Sequence, residues 1–355
     1  MRVVRRHLRI GTRVTQQDPI SLDLSLIGTP VASVAEVARE AEKVGFSRIW
    51  ATESTSDSML QALAAALATE QISLGTAVTV AFARNPMSVA YTAWDLASVS
   101  EGRFTLGLGS QIKSHIQRRF SMPWDSPVDQ MRDFINALQA IWQAWDTGEQ
   151  LSHEGPYYQH TLMTPVFTPL THGFRIPIAL AAVGPTMTHL AGEVADGLIL
   201  HGMTTPAYLE TVTLKALGGG LAESGRSRDD IEISCPLFMV MGDTDQAIDE
   251  RVLETKKQIA FYGSTPAYRA VLETTGCGDL QPLLTRLSKE GRWDAMADLI
   301  DEEVFNSIAL VGRPEQMPDL VRDRFGGLID RASSYFGWPI DDPERLSEIV
   351  NAFCH

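Results

Sequence analysis

The stretch "LAAVGPTMTHLAGEVADGLILHG", residues Leu180 to Gly202, decides how the chain is read. An apolar run stops at Gly184-Pro185, a helical pattern starts, and a second apolar run leads into His201. Strand, glycine break, helix start and second strand is the grammar of an α/β unit. Gly184 lets a ligand come close to the backbone, and the helix that follows offers unpaired N–H groups and the positive end of its dipole. The break is therefore an anion site or a plain strand-to-helix turn, and the rest of the chain must choose.

The same unit recurs. "ISLDLSLIG", "FSRIWATES", "ISLGTAVTV" and "RFTLGLGS" read as the first four strands, and Ile176 to Val183, Gly197 to His201, "DIEISCPLFMVMG" and Ala332 to Phe336 as the next four. The third barely alternates, as parallel strands buried on both faces do. Helical sequence follows each. In "PVASVAEVAREAEKVG", Ser33 and Glu36 have the spacing of a capping box and Gly45 is a stop. "LSHEGPYYQH" reads as a hairpin, the three glycines from Gly218 weaken the helix they interrupt, and residues 245–305 are helical beyond what one crossover needs. That excess, with Phe261, Tyr262, Tyr268 and Trp293, reads as a lid. The pattern predicts a (β/α)₈ TIM barrel, with a doubly wound open sheet as the alternative. No low-complexity linker splits the chain, so residues 18–355 read as one domain and residues 1–17, basic but lacking a long apolar core, as a loose extension.

Bulk properties narrow the function. The 355 residues carry a net charge of −14, which argues against non-specific nucleic-acid or anionic-membrane binding. No apolar run is long enough to span a bilayer. Cys235, Cys277 and Cys354 are scattered and have no paired spacing, so a reducing, cytoplasmic setting is expected. Metal-ligand spacings, a nucleophile elbow and a P-loop are all missing, and "GLGS" at Gly107 is not a dinucleotide fingerprint. Hydrolysis and phosphoryl transfer lose their obvious routes, and a bound cofactor acting on a small molecule is the remaining reading.

In a barrel the chemistry gathers at the C-terminal ends of the strands. That rule selects Glu53 and Ser54, Arg84 and Asn85, Ser110, Gln111, Lys113 and His115, the turn Val183-Gly184-Pro185-Thr186-Met187, and His201. Each has a plainer alternative: a solvated acid for Glu53, a surface ion pair for Arg84, a solvated helical face for Lys113, Arg118 and Arg119, and hydrogen-bonded histidines for His115 and His201. Their gathering on one rim of an acidic chain favours a site.

Residues 38–54, 72–110 and 180–202 together resemble the bacterial luciferase-like superfamily, and within it the oxidoreductases that depend on the deazaflavin coenzyme F420. "QIKSHIQRRFSMPWD" and "HEGPYYQHTLMTP" resemble one actinobacterial subgroup of that branch. The resemblance implies a homodimer and a cofactor ring over the barrel mouth. It also implies a non-prolyl cis peptide at Ala77–Val78 beneath the ring, with the cofactor phosphate on the Gly184–Met187 amides. Two departures count. Ser110 stands where luciferases have an arginine, which tells against their grip on FMN phosphate. Glu53 stands where several deazaflavin enzymes carry an Asp-His pair, so His115 or Glu53 is the expected proton group, and Lys113, Arg84, Arg118 or Arg119 is expected to meet the anionic tail. The leading expectation is hydride transfer between the deazaflavin C5 and a small organic substrate. An FMNH₂-dependent monooxygenase and a non-catalytic flavin- or ligand-binding barrel are the alternatives.

Overall fold

The computed structural model describes residues 19–353. The expected extension, residues 1–17, lies outside them. Eight parallel strands close into a ring in chain order: β1 (Ser21–Ser25), β2 (Arg48–Ala51), β3 (Ser73–Thr76), β4 (Phe104–Gly109), β5 (Ile178–Ala181), β6 (Gly197–Ile199), β7 (Glu232–Leu237) and β8 (Arg331–Ser334). Pairing of β1 with β8 seals the ring, with Ser21 opposite Arg331 and Asp23 opposite Ser333. The open-sheet alternative is thereby excluded.

The helices α1 (Val31–Val44), α2 (Ser58–Ala66), α3 (Pro86–Val99), α4 (Pro127–Thr147), α5 (Pro185–Val194), α6 (Leu214–Glu223), α7 (Met317–Phe325) and α8 (Pro343–Phe353) belong to the βα units. Their apolar stripes bury Val34, Ala38, Phe134, Leu138, Leu190 and Val321 against outward-facing strand residues such as Ile49, Leu106 and Leu180. Inside the ring there is room for little: Trp50, Ala179 and Ile199 pack with Ala77, Val78 and Ala181. Gly75 leaves the space Trp50 fills, since a Cβ there would sit 2.4 Å from the indole ring.

Below that layer lie charges. Asp23 accepts from Arg331 Nη2 at 2.5 Å, Arg331 Nε at 2.8 Å and Trp50 Nε1 at 2.9 Å. Glu232 takes Arg48 and Arg331 on its two oxygens. Burial pushes the Asp23 carboxyl up, and Arg331 pulls it back. A buried acid is tolerable when paired and fully hydrogen-bonded in this way.

The second core belongs to the insertion between β7 and β8. The helix Asp245–Gly263 packs with helices Leu280–Lys289 and Trp293–Ala297 around Ile259, Leu272, Leu284, Met296 and Val304. The insertion hangs from a parallel ribbon, Met239–Met241 against Leu310–Gly312, that the sequence pattern did not reveal. The hairpin at "LSHEGPYYQH" is present, His153–Glu154 against Gln159–His160.

Two local readings need correction. Ser33 is not a cap: α1 begins after Pro30 with no side-chain cap, and Ser33 lies inside the helix, while Gly45 ends it with φ 104°. The glycines of α6 do more than weaken it: Gly220 also permits a close helix crossing. A Cβ on Gly220 would lie 1.9 Å from the His189 carbonyl oxygen, and one on Gly192 of α5 would lie 2.5 Å from the Leu217 carbonyl oxygen. Gly218 faces open space. Gly220→Ala is therefore expected to cost about 1–3 kcal/mol by overpacking, while Gly218→Ala gains up to about 1 kcal/mol of helix propensity. Urea unfolding of the two variants checks the opposite signs.

Candidate functional site

A cavity of about 690 Å³ opens at the C-terminal end of the barrel. Its floor is Asp23, Trp50, Ser234, Cys235 and Ser333. One wall comes from the ends of β1 to β4, with Ile27, Glu53, Ala77, Val78, Ser110 and Lys113. A second comes from the β5 end, with Val183, Gly184, Thr186 and Met187, and a third joins His201 and Tyr335 to Tyr262 and Tyr268 of the insertion.

The first wall is set by one acid. Glu53 takes the Arg84 guanidinium on both oxygens, at 2.7 and 2.8 Å, and its Oε2 also accepts from the Val80 N–H at 2.9 Å. Arg84 spends its other end on Asp57 at 2.6 Å. The Glu53 carboxylate therefore anchors the chain just after the Ala77–Val78 peptide, which is cis. β4 closes on the same step: a Cβ on Gly109 would sit 2.6 Å from Val78 Cγ2.

The β5 wall is the break in the opening stretch. Gly184 is the N-cap of α5, Pro185 occupies its first turn, and no side chain caps it. A Cβ on Gly184 would meet nothing within 4 Å. The first N–H groups of such a helix lack helical partners by construction.

The third wall is aromatic and neutral. His201 stacks edge-on to Tyr262 with ring centroids 4.2 Å apart and lies 5.1 Å from Tyr268. Its Nδ1 accepts from the Met203 N–H at 3.0 Å. Burial pushes the imidazole down to about 4. Tyr262 and Tyr335 share a hydroxyl–hydroxyl bond of 2.5 Å, and burial holds the Tyr335 and Tyr268 hydroxyls well above their ordinary values.

The expected residues thus divide. Glu53, Ala77, Val78, Ser110, Lys113, Val183, Gly184, Thr186 and Met187 line one cavity. Pro185, in the first turn of α5, is not among the residues that line it. Arg84 is not among the lining residues, and its guanidinium is consumed by Glu53 and Asp57. His115 is exposed on the short helix Lys113–Arg118 and does not reach the cavity wall. Arg119 reaches the Ser54 carbonyl, at 3.5 Å, and lies over the Phe120 ring, 4.7 Å from its centroid. Tyr335, Asp23 and Trp50 were not foreseen as lining residues; an aspartate inside the apolar run "ISLDLSLIG" was the available signal for the floor.

A model of the luciferase-like monooxygenase family matches residues 10–331. The chain belongs to the luciferase-like family. Within the family it is 47% identical over 311 residues to an uncharacterised protein of Mycobacterium tuberculosis, covering 87% of this chain and 92% of that one. Its fold is similar to that of the coenzyme F420-dependent tetrahydromethanopterin reductase of Methanopyrus kandleri, with TM-score 0.74 and 22% identity over 94% of this chain and 97% of the other. It is also similar to the FMN-bound oxygenating constituent of 3,6-diketocamphane monooxygenase from Pseudomonas putida, with TM-score 0.66 and 19% identity, 94% and 97% covered. The two similar structures are thus one F420-dependent reductase and one FMN complex on the same fold.

Two outcomes test the geometry. Glu53→Ala leaves Arg84 half-paired and frees the Val80 N–H, so it should lower stability by about 1.5–3 kcal/mol in urea unfolding. His201 is neutral when folded down to about pH 4, whereas the unfolded ring charges at 6.5. Its contribution is complete above pH 6.5 and disappears as the pH falls toward 4. Between pH 7.5 and 5 the wild type should therefore lose about 2 kcal/mol more than His201→Gln, in which nothing titrates at this position.

Proposed function

We propose that this luciferase-like chain is an F420-dependent oxidoreductase acting on a small organic substrate. The observation that carries the reading is the pairing of an apolar barrel mouth with an uncapped helix start at Gly184 beside it. Apolar side chains of all three walls enclose a space suited to a flat ring. The N–H groups of Gly184, Thr186 and Met187, at the start of α5, suit a phosphate, and the open space over Gly184 is what an approaching anion needs. The family's two cofactors both carry these parts. Ser110 favours the deazaflavin, because a small neutral side chain stands where luciferases place an arginine, and Lys113 on the exposed rim suits an anionic tail.

When bound, reduced F420 supplies a hydride from C5. The chain's own residues do the rest. The Ala77–Val78 step, held by Glu53 through Val80 and by Gly109, forms a rigid ledge beneath the ring position. Ile27, Trp50, Val183 and Met187 keep water from the reacting face. Glu53 acts as the brace of that ledge, and the proton roles expected of Glu53 and His115 are not retained.

Titration with F420, followed by its absorbance and fluorescence, should give micromolar binding. Gly184→Val, whose Cβ would meet nothing within 4 Å, should melt like the wild type yet bind F420 at least about ten-fold more weakly. Oxygen uptake with FMN and a flavin reductase, in the absence of F420 binding, would replace this reading with a monooxygenase; tight binding with no turnover across substrates would make the barrel a carrier.

A further inference from the structure

The wall opposite the brace has a chemistry that the cofactor reading does not use. His201 follows β6, Tyr262 ends the first helix of the insertion, Tyr268 lies in the turn Pro266–Tyr268, and Tyr335 follows β8. Three separate segments thus bring four polar rings to one side of the cavity, and all four line it.

Their hydrogen bonds determine what they offer. Because Nδ1 of His201 accepts the Met203 N–H, the neutral ring carries its proton on Nε2. Nε2 has no partner among the described residues. The Tyr262 and Tyr335 hydroxyls hold two protons between them, and their mutual bond uses one. Gln258 Nε2 donates to Tyr335 Oη at 3.4 Å, which adds a donor and takes none away. One O–H therefore remains on the same wall of the cavity as the one N–H. Charge is absent from this end: of the charged lining residues, Asp23 is held by Arg331, Glu53 by Arg84, and Lys113 stands on the exposed rim.

We propose that His201 Nε2–H and the Tyr262–Tyr335 hydroxyl pair form the substrate subsite, which takes the oxygen of an uncharged carbonyl or alcohol and rejects carboxylates and phosphates. The proposal rests on the oxidoreductase reading for its reaction and on these side chains for its selectivity. The free N–H and the free O–H are two donors that take an oxygen acceptor as their complement, and a carboxylate entering here would lose its water without gaining a cation. His201 is a donor that polarises the oxygen; with its Nε2 protonated it cannot serve as a base. Tyr268 packs on the imidazole and fixes its plane.

The test uses the full chain with ¹⁵N-labelled histidine, and cyclohexanone and cyclohexanecarboxylate as probes. The His201 resonance, assigned by its loss in His201→Gln, should report an Nε2–H tautomer at pH 7. Titration should move it with cyclohexanone at least about ten-fold more tightly than with cyclohexanecarboxylate. Followed by protein-observed shifts elsewhere in the cavity, His201→Phe should lose cyclohexanone binding, while His201→Gln, whose amide can place a donor near the Nε2 position, should retain most of it. An Nδ1–H tautomer, equal affinity for the two probes, or unchanged binding in His201→Phe at an unchanged melting temperature overturns the proposal. F420 binding measured on the same samples keeps the two readings apart: selective ketone binding without F420 binding removes the cofactor and leaves the subsite, and F420 binding without ketone selectivity does the reverse.

Discussion

The ion pair between Asp23 and Arg331 joins the first strand of the barrel to the last, across most of the chain. Eight short strands gain their full hydrogen bonding only when the ring closes, and closure brings this acid and this guanidinium into the interior together. Neither is tolerable there alone, because an unpaired charge in so dry a place costs several kcal/mol. The pair is further satisfied by Trp50 Nε1 and extended through Glu232 to Arg48. The bottom of the barrel is thereby filled with mutually committed charge, and the open volume is confined to the top. Everything at the mouth sits on that plug.

Saturation of charge also governs the mouth. The brace around Glu53 gathers two acids and an arginine and uses nearly all of their bonding capacity on one another and on the backbone. Its product is position rather than reactivity. The opposite wall is built from neutral donors. A cofactor between them would face a stiff, internally balanced ledge on one side and a proton-donating aromatic wall on the other. The surface group His189, Glu193 and Glu223 obeys the same economy, since Arg132 already pairs with Glu193.

The barrel was legible in the sequence because its signals are local. Apolar runs of strand length, helical spacing and stops such as Gly45 repeat in order, and parallel strands buried on both faces hide little. The break at Gly184 was legible for the same reason. What escaped depends on pairs distant in sequence. Glu53 read as a functional or a solvated acid and Arg84 as a functional cation or a partner in some ion pair, and only their mutual contact shows that they neutralise one another. Gly220 reads as a helix weakness until His189 is seen across from it. Tyr335 carries no local pattern at all; its significance comes from Tyr262, contributed by the insertion. His115 fell on the right segment, but a six-residue helix gives too little periodicity to tell which face turns inward.

The ribbon formed by Met239–Met241 and Leu310–Gly312 has a bearing on how such a molecule can diversify. Its two parallel strands are the departure and return points of residues 242–309, hydrogen-bonded side by side, and Arg313 clasps the root by binding the Gly242 carbonyl and Asp245. Whatever is built between these points, the barrel meets the same pair of adjoining ends. The helix bearing Tyr262 and the turn bearing Tyr268 can therefore be rebuilt, and with them one side of the cavity, without disturbing the strands that hold the ring in place. Barrel and cavity wall are hinged at one seam.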